Sequence, residues 1–399
     1  MPWTRSGRIK SPPYSLTGVV MGSMVHLSAG CIHIDWGKNR GYTNHGVLFQ
    51  SGDEAVGPYR YIGSDSDEEI IEEKPCLCRS LGRIKPRLEI LGYTLEACRS
   101  WLQSTFGEDE NTRPSAVFEQ LSEFLRSLPW EVDGPYLDFD SVVMGTFGVS
   151  LDTYVVLRVL AEIPELENLP IRWEYADIIE GGWVSPDEIV PGCGAQRCMI
   201  VTEGSSDVHV LKRSLQHLYP DIADFFDFID MKDGNPFPGV GNLVTFCKGL
   251  ARIGYSGHML IVLDNDTAGR WALETIVSLD LSPNVKATTL PVLSEFSQFR
   301  TIGPSGNAVE DINGRACSIE CFLDLSVIDS DPIVRWKNYN EKLKSYQGEL
   351  VRKDDYIRAF RDQFNRMDTY QTKKLYVLWE HLIAESAMNR VIFPTEENW

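Results

Sequence analysis

Residues 259–269 have the sequence MLIVLDNDTAG. The first five residues are all apolar, which is typical of a strand buried on both faces of a parallel sheet. The run ends in two acids, Asp264 and Asp266, and a helical pattern begins near Arg270. This stretch therefore predicts a buried strand that delivers two carboxylates to the start of a helix.

The sequence on both sides repeats this alternation of strand and helix. Apolar runs and amphipathic patterns alternate at 198–202, 208–218, 225–231, 242–253 and 285–290. Strands that alternate with helices in this way predict a parallel sheet that is covered by helices on both faces. We therefore predict an α/β fold for residues 193–325.

The first of these strands also ends in an acid. Residues 198–207 have the sequence CMIVTEGSSD, so Glu203 follows the strand and Asp207 lies four residues further on. Ligands of parallel sheets bind at the carboxyl ends of the strands, where these acids would meet Asp264 and Asp266. Three or more carboxylates in one crevice predict a site for Mg²⁺ or Mn²⁺. The alternative is that each acid caps the helix that follows it.

A strand that ends in Glu-Gly, followed by a later strand that ends in Asp-x-Asp, resembles the Toprim domain. The motifs IVTEGSSD and IVLDNDTAG carry the resemblance, which covers about residues 196–300. The resemblance implies a Rossmann-like Toprim domain with Glu203, Asp264 and Asp266 as catalytic residues and Mg²⁺ or Mn²⁺ as the cofactor. Glu203 would act as general acid or base or as a metal ligand, and the two aspartates would bind the metal. Asp207 matches a further metal ligand in nucleases of the overcoming-lysogenization-defect type.

The C-terminal part of the chain offers one more acid and a basic segment. Nucleases of this group often add a later acid to the metal site, for which Glu320 is our candidate and Glu310 the alternative. Residues 335–374 hold eleven basic and six acidic residues, and Arg358, Arg361 and Arg366 among them are predicted to bind nucleic acid. Apolar residues at helical spacing predict that residues 326–399 form a helical C-terminal segment.

The chain before residue 193 has a different pattern. Alternating apolar residues near 24–36 predict strands, and helical spacing recurs further on, so residues 21–192 are predicted to form an α+β module. Residues 64–74 hold six acids, which predict a solvated loop, and residues 79–87 hold four basic residues and no acid. Residues 1–20 are expected to be a flexible extension. The stretches MGSMVHLSAGCIHIDWGKN and RLEILGYTLEACR resemble the N-terminal module associated with HEPN and Toprim effectors of bacterial conflict systems.

Composition limits the classes of function. The chain has 399 residues, ordinary globular proportions and a net charge of −19, so it cannot bind nucleic acid through its overall charge. The nine cysteines lack the spacing of a zinc ribbon, which favours free thiols in a reducing cytoplasm. No apolar stretch is long enough to predict a membrane-spanning helix. We therefore expect a cytoplasmic protein without membrane contact.

Together these patterns predict a Mg²⁺- or Mn²⁺-dependent Toprim nuclease that hydrolyses phosphodiester bonds in DNA or RNA, in anti-phage defence or a toxin-like response. Two alternatives stay open, namely an inactive Toprim-fold regulator that only binds nucleic acid and a primase-like nucleotidyl transferase. The nucleic acid substrate is the expected partner, and a homo-oligomer or a partner from a defence system is left open. Residues from about 193 onward are expected to fold without the N-terminal module.

Overall fold

An N-terminal unit and a C-terminal unit, each built on its own sheets, make up the structure. It is a computed structural model that describes residues 22–62, 69–106, 114–130, 137–139, 143, 150–192, 197–229, 239–341, 344–364 and 369–387. The expected extension at 1–20 and the predicted nucleic-acid-binding residue Arg366 lie outside these residues. In the part of the chain that is described, no helix combines the length and the apolar character needed to cross a membrane.

The N-terminal unit is organised around a six-stranded sheet with the order β3-β4-β6-β1-β2-β5. All neighbouring strands run antiparallel except β2 and β5, which are parallel. The strands are β1 Met24–Ala29, β2 Ile32–Lys38, β3 Glu54–Ile62, β4 Glu69–Ser80, β5 Leu137–Asp138 and β6 Pro170–Glu174.

Helices cover one face of this sheet. Val25 and Leu27 alternate with His26 along β1, so one face of the strand is apolar and enters a core shared with the helices. The helices are α1 Leu81–Ile90, α2 Leu95–Phe106, α3 Pro114–Ser127, α4 Thr153–Leu160 and α5 Ala176–Glu180.

One local expectation for the N-terminal unit needs correction. The acidic stretch predicted to be a solvated loop is a strand from Glu69 onward, because its backbone pairs with β3 whatever its side-chain charge. Further along, α1 and α2 are separated at Gly92, whose φ of 99° suits glycine and ends the first helix.

The C-terminal unit contains the predicted parallel sheet, with the order β11-β9-β7-β8. β9 is buried along its whole length, as its uninterrupted apolar sequence predicts. The strands of the unit are β7 Cys198–Val201, β8 Phe226–Phe228, β9 Met259–Leu263, β10 Asn265–Asp266, β11 Val285–Thr289, β12 Phe299–Gly303, β13 Gly306–Glu310, β14 Ala316–Cys317, β15 Ile333–Asn340 and β16 Ser345–Leu350. The helices are α6 Ser205–Leu218, α7 Val240–Ile253, α8 Thr267–Val277, α9 Lys353–Gln363 and α10 Lys373–Ala387.

The prediction of a helical segment from residue 326 is wrong for residues 333–350. Here β15 and β16 form an antiparallel hairpin that joins a second sheet with the order β13-β12-β15-β16. β15 pairs in parallel with β12, so a partner more than thirty residues earlier in the chain selects the extended backbone. Helices α9 and α10 follow the hairpin, and the helical prediction holds for them.

Buried arginines of α1 and its preceding strand join the two units. Arg87 donates to both carboxylate oxygens of Asp224 at 2.7 and 2.9 Å and to the carbonyl oxygens of Val47, Phe49 and Asp221. Arg79 bridges Asp53 and Asp221 at 2.5 Å each. The basic run at 79–87 therefore binds protein carboxylates. Independent folding of the residues from about 193 onward stays a prediction. Removal of the N-terminal unit would leave Asp221 and Asp224 without Arg79 and Arg87.

Candidate metal centre at the edge of the parallel sheet

Neighbouring strands bring the predicted acids to one edge of the parallel sheet. Glu203 follows β7 and Asp264 follows β9, and these two strands are hydrogen-bonded neighbours. Asp207 lies in the first turn of α6, and Glu320 lies in a short 3₁₀ helix, Ile319–Phe322. With Asp266 they form a set of carboxylates that we call the acidic edge.

The electrostatics show that these carboxylates face one another. Burial, and then the charges of Asp266 and Asp207, raise the pKa of Glu203 to about 7. Burial, and then the charge of Glu320, raise the pKa of Asp207 to about 7. The pKa of Asp264 lies well above its usual value, because it is buried and repelled by the other four acids. The acidic edge thus holds more negative charge than it can keep ionised at neutral pH without a cation.

Helix capping accounts for part of the set. Asp266 begins α8, and one of its oxygens accepts from the Gly269 N–H at 2.7 Å while the other accepts from the Gln347 side-chain amide. Asp207 accepts from the Gly204 N–H at 3.1 Å. Both oxygens of Asp266 are thus engaged by protein donors, so the capping alternative raised by the sequence describes this residue well.

Glu203 is the acid with spare bonding capacity. Its Oε1 is buried and has no hydrogen-bond partner among the described residues. A buried carboxylate oxygen without a donor is costly, and a hard divalent cation would satisfy it. The donor set consists of carboxylate oxygens, so its chemistry fits Mg²⁺ or Mn²⁺. Among the described residues, no three of these carboxylates have oxygens that all lie within 4.8 Å of one another, and their mutual repulsion favours this separation.

A glycine allows α8 to start next to Asp264. A Cβ atom on Gly269 would lie 2.0 Å from the Asp264 carbonyl oxygen, so a larger residue would displace the backbone that carries this carboxylate. The DNDTAG sequence thus combines two acids with the glycine that their close packing requires.

The structure separates the two candidates for a later acid. Glu320 is buried, interacts with Asp207 and Asp264, and accepts from the Ser318 hydroxyl at 2.6 Å. Glu310 instead accepts from the Thr301 hydroxyl and from the Trp336 indole N–H in the second sheet. Glu320 is therefore the later acid that joins the acidic edge.

A cavity of about 340 Å³ opens beside Glu320 and is lined largely by charged residues. Two of the predicted nucleic-acid-binding residues, Arg358 and Arg361, line it from α9. Lys353 also lines it, and its charge acts on Asp207. The third predicted residue, Arg366, lies outside the described residues.

Lys353 belongs to the basic segment that the sequence analysis offered for phosphate contacts. Gln347 escaped the sequence reasoning. Gln347 donates to Asp266 and accepts from the Ala268 N–H at 3.1 Å, so it braces the start of α8. Nothing in the linear sequence marks Gln347, because its role depends on the hairpin that the sequence did not predict.

Comparison with known proteins identifies the N-terminal unit. Residues 21–197 match the family model named HEPN/Toprim N-terminal domain 1. No curated protein and no solved structure matches the chain significantly. The matched residues contain the six-stranded sheet and its helices and end before the parallel sheet. The N-terminal unit is therefore similar to this HEPN/Toprim-associated domain family.

Proposed function

We propose that this chain is a divalent-metal-dependent phosphodiesterase of the Toprim type, a nuclease in a bacterial defence or toxin-like system. The N-terminal family match supports this setting, since that module is associated with HEPN and Toprim effectors. Bacterial origin, nucleic acid as substrate and location in the cytoplasm belong to the same proposal. In it, residues 193–325 form the catalytic domain, residues 21–192 serve in sensing or recruitment, and the segment from 326 contributes to substrate binding.

The observation that carries the proposal is the burial of several carboxylates close together at the acidic edge. Burial, and then the charges of neighbouring acids that include Glu320, raise the pKa values of Glu203, Asp207 and Asp264. Helix capping explains Asp266 but provides no donor for Glu203 Oε1. Uncompensated carboxylates at the ends of parallel strands are typical of a functional site rather than of a stabilising network.

The protein groups would share the chemistry as follows. Glu203, Asp207, Asp264 and Glu320 would hold the metal, with Asp266 as a further ligand if Gln347 releases it. Bound there, Mg²⁺ or Mn²⁺ would neutralise charge on the scissile phosphate and lower the pKa of a water molecule. The resemblance to the Toprim domain gives Glu203 a second role as general acid or base, which it would take in place of metal ligation.

Binding of the polyanion would rely on the cavity beside Glu320. Arg358 is largely exposed, and its guanidinium contacts Asp355 at 3.3 Å, so a phosphate can compete for it. Arg361 and Lys353 lie on the same helix and line the same cavity. These cations form a local positive surface in a chain whose overall charge repels nucleic acid.

The decisive experiment incubates purified full-length protein with plasmid, single-stranded DNA and total RNA, each with Mg²⁺, Mn²⁺ or EDTA. We expect cleavage of at least one substrate with either metal and none with EDTA. Glu203→Gln should abolish this cleavage, and Asp280→Asn, which changes an exposed acid of the same unit, should not. Cleavage in EDTA, or full activity of Glu203→Gln, would contradict the proposal.

A second assay separates the alternatives that the sequence left open. Labelled nucleoside triphosphates and a single-stranded template are supplied with Mg²⁺. Incorporation of label without cleavage would favour the primase-like nucleotidyl transferase. Binding of nucleic acid without cleavage or incorporation, unchanged by Glu203→Gln, would favour the inactive regulator.

A further inference from the structure

The antiparallel register of the N-terminal sheet gathers two histidines and a glutamate on one face. His26 of β1 lies opposite Glu174 of β6, and Ser28 lies opposite His33 of β2. His26 and Ser28 are two residues apart in one strand and therefore point to the same side of the sheet. The three ionisable residues thus come from three adjacent strands, and we call them the histidine cluster.

The distances within the histidine cluster suit the ligands of one metal ion. His26 Nδ1 lies 3.9 Å and His33 Nε2 lies 3.6 Å from Glu174 Oε2, and one ligand atom from each residue lies within 4.8 Å of the others. These separations are too long for hydrogen bonds. Ligand atoms bound about 2.0–2.2 Å from one tetrahedral zinc ion lie roughly 3.3–3.6 Å apart, so only a small closure is needed.

The carboxylate of Glu174 provides an independent indication of a ligand. Glu174 is only 1% exposed. Its Oε1 accepts from the Ser28 hydroxyl and lies 3.4 Å from Arg172 Nε. Its Oε2 faces the two imidazoles, is buried, and has no hydrogen-bond partner among the described residues. Burial raises the pKa of Glu174 to about 7, and a cation at this oxygen would relieve the cost of its buried charge.

We propose that His26, His33 and Glu174 bind one first-row divalent transition-metal ion, with Zn²⁺ as the first candidate, and that this ion ties β6, β1 and β2 together. This site is separate from the acidic edge and does not depend on the proposed nuclease function. Two imidazoles and one carboxylate favour Zn²⁺, Co²⁺ or Ni²⁺ over Mg²⁺, which prefers oxygen ligands. A water molecule would complete a tetrahedral shell.

The surroundings of the histidine cluster contain charges of both signs. Arg172 and Arg60 act on His33 and oppose a further positive charge, but Arg172 also donates to the Gly30 carbonyl at 2.6 Å and approaches the other oxygen of Glu174. Asp177, Asp138 and Asp35 attract positive charge toward His26. Burial lowers the pKa of His26 to about 4 and that of His33 to about 2, so both imidazoles are neutral, as metal ligands must be.

The test uses full-length protein freed of metal with EDTA and then titrated with Co²⁺. In the presence of excess Mg²⁺, which occupies the acidic edge, we expect one Co²⁺ per chain with the visible absorption of a tetrahedral site. The charge-transfer absorption of cobalt bound to thiolate should be absent, because no cysteine belongs to the cluster of described residues. Zn²⁺ should displace Co²⁺ at equimolar concentration, and a large excess of Mg²⁺ should not.

Variants assign the site to its residues. His26→Ala and Glu174→Gln should each weaken Co²⁺ binding by more than about 100-fold, since loss of mere hydrogen-bond partners of metal ligands costs roughly 10–100-fold. With excess Mg²⁺ present, His217→Ala, an exposed imidazole outside the cluster, and Asp264→Asn at the acidic edge should keep the tetrahedral Co²⁺ absorption of the wild type. Circular dichroism checks that each variant is folded.

Three results would overturn the proposal. The wild-type protein could fail to bind Co²⁺ stoichiometrically, its spectrum could show a thiolate charge-transfer band, or folded His26→Ala could bind Co²⁺ with unchanged affinity. Loss of binding in Asp264→Asn alone would move the ion to the acidic edge. If Glu174→Gln does not fold, the wild-type spectrum and His26→Ala still decide the question.

Discussion

The acidic edge and the histidine cluster both collect ionisable groups, but they do so in opposite ways. At the acidic edge, carboxylates follow strands or sit in neighbouring helical turns, and their repulsion raises their pKa values. In the histidine cluster, residues in the middle of antiparallel strands meet through register, and their ligand atoms lie within 4.8 Å. Neutral imidazoles tolerate this proximity, whereas unneutralised carboxylates resist it. The comparison suggests a reactive edge in one unit and a binding site within a sheet in the other.

The largest expected effect is the loss of nuclease activity on substitution of Asp264. Asp264→Asn removes one charge from the centre of the acidic edge and leaves the core volume unchanged. We expect cleavage to fall by more than the roughly 100-fold typical of losing a hydrogen-bond partner of a metal ligand. The measurement is the initial rate in Mg²⁺, with Asp280→Asn as the control. An unaltered cleavage rate in folded Asp264→Asn would show that the acidic edge is not the reactive site, and the contrast with the histidine cluster would then fail.

The next prediction tests whether the two units are coupled in stability. Arg87 is fully buried and binds Asp224 together with three backbone carbonyls, so Arg87→Leu should destabilise the protein by about 3–5 kcal/mol. Arg83, whose side chain is half exposed and contacts Asp221 alone, provides the control, and Arg83→Leu should cost less than about 1 kcal/mol. Urea unfolding measures both values. Similar losses in the free energy of unfolding for the two variants would show that the buried contacts of Arg87 stabilise the protein no more than the exposed contact of Arg83.

A smaller effect concerns pH, because Glu203 and His26 should contribute to stability with opposite sign in metal-free protein. The pKa of Glu203 is raised to about 7, so Glu203 binds more protons in the folded state than in the unfolded state. Its contribution to the free energy of unfolding therefore falls as pH rises from about 4 to 7. The pKa of His26 is lowered to about 4, so His26 binds more protons in the unfolded state, and its contribution rises from about pH 4 to 6.5.

Variants resolve these opposing contributions, each at most about 1.4 kcal/mol per pH unit for one proton. Thermal melting in EDTA at several pH values is the measurement. Glu203→Gln should make stability rise more steeply with pH than in the wild type, and His26→Ala should make it rise less steeply. If both variants change the slope in the same direction, the opposite contributions of Glu203 and His26 are wrong.

The smallest predicted effect concerns salt. Replacement of Arg358 and Arg361 by Gln should reduce the slope of log affinity against log salt by about 0.7–0.9 for each phosphate that the variant no longer neutralises. The effect should be the same for different sequences, because phosphate contacts do not read bases. Arg252→Gln, an exposed change outside the cavity, is the control. An unchanged slope in the double variant would exclude this cavity as the nucleic acid surface.

Much of the parallel sheet could be predicted, because the signals are local. The apolar run of β9 and the acids that follow it are neighbours in sequence, and parallel topology sends the ends of such strands to one edge. The prediction of helix from residue 326 onward failed at β15, because pairing with β12 overrides local preference there. The basic run around Arg87 was visible, but its partner Asp224 lies in the other unit.

The sequence by itself determined the alternation of strands and helices and the acids at the strand ends. These features depend on the residue and its near neighbours, so periodicity and composition reveal them. Only the tertiary structure decided that Gln347 donates to Asp266, that Glu320 rather than Glu310 joins the acidic edge, and that His26 meets His33 and Glu174. Each of these depends on strand register or on contacts between distant segments. Register is set by packing the whole sheet, and no single stretch of the chain encodes it.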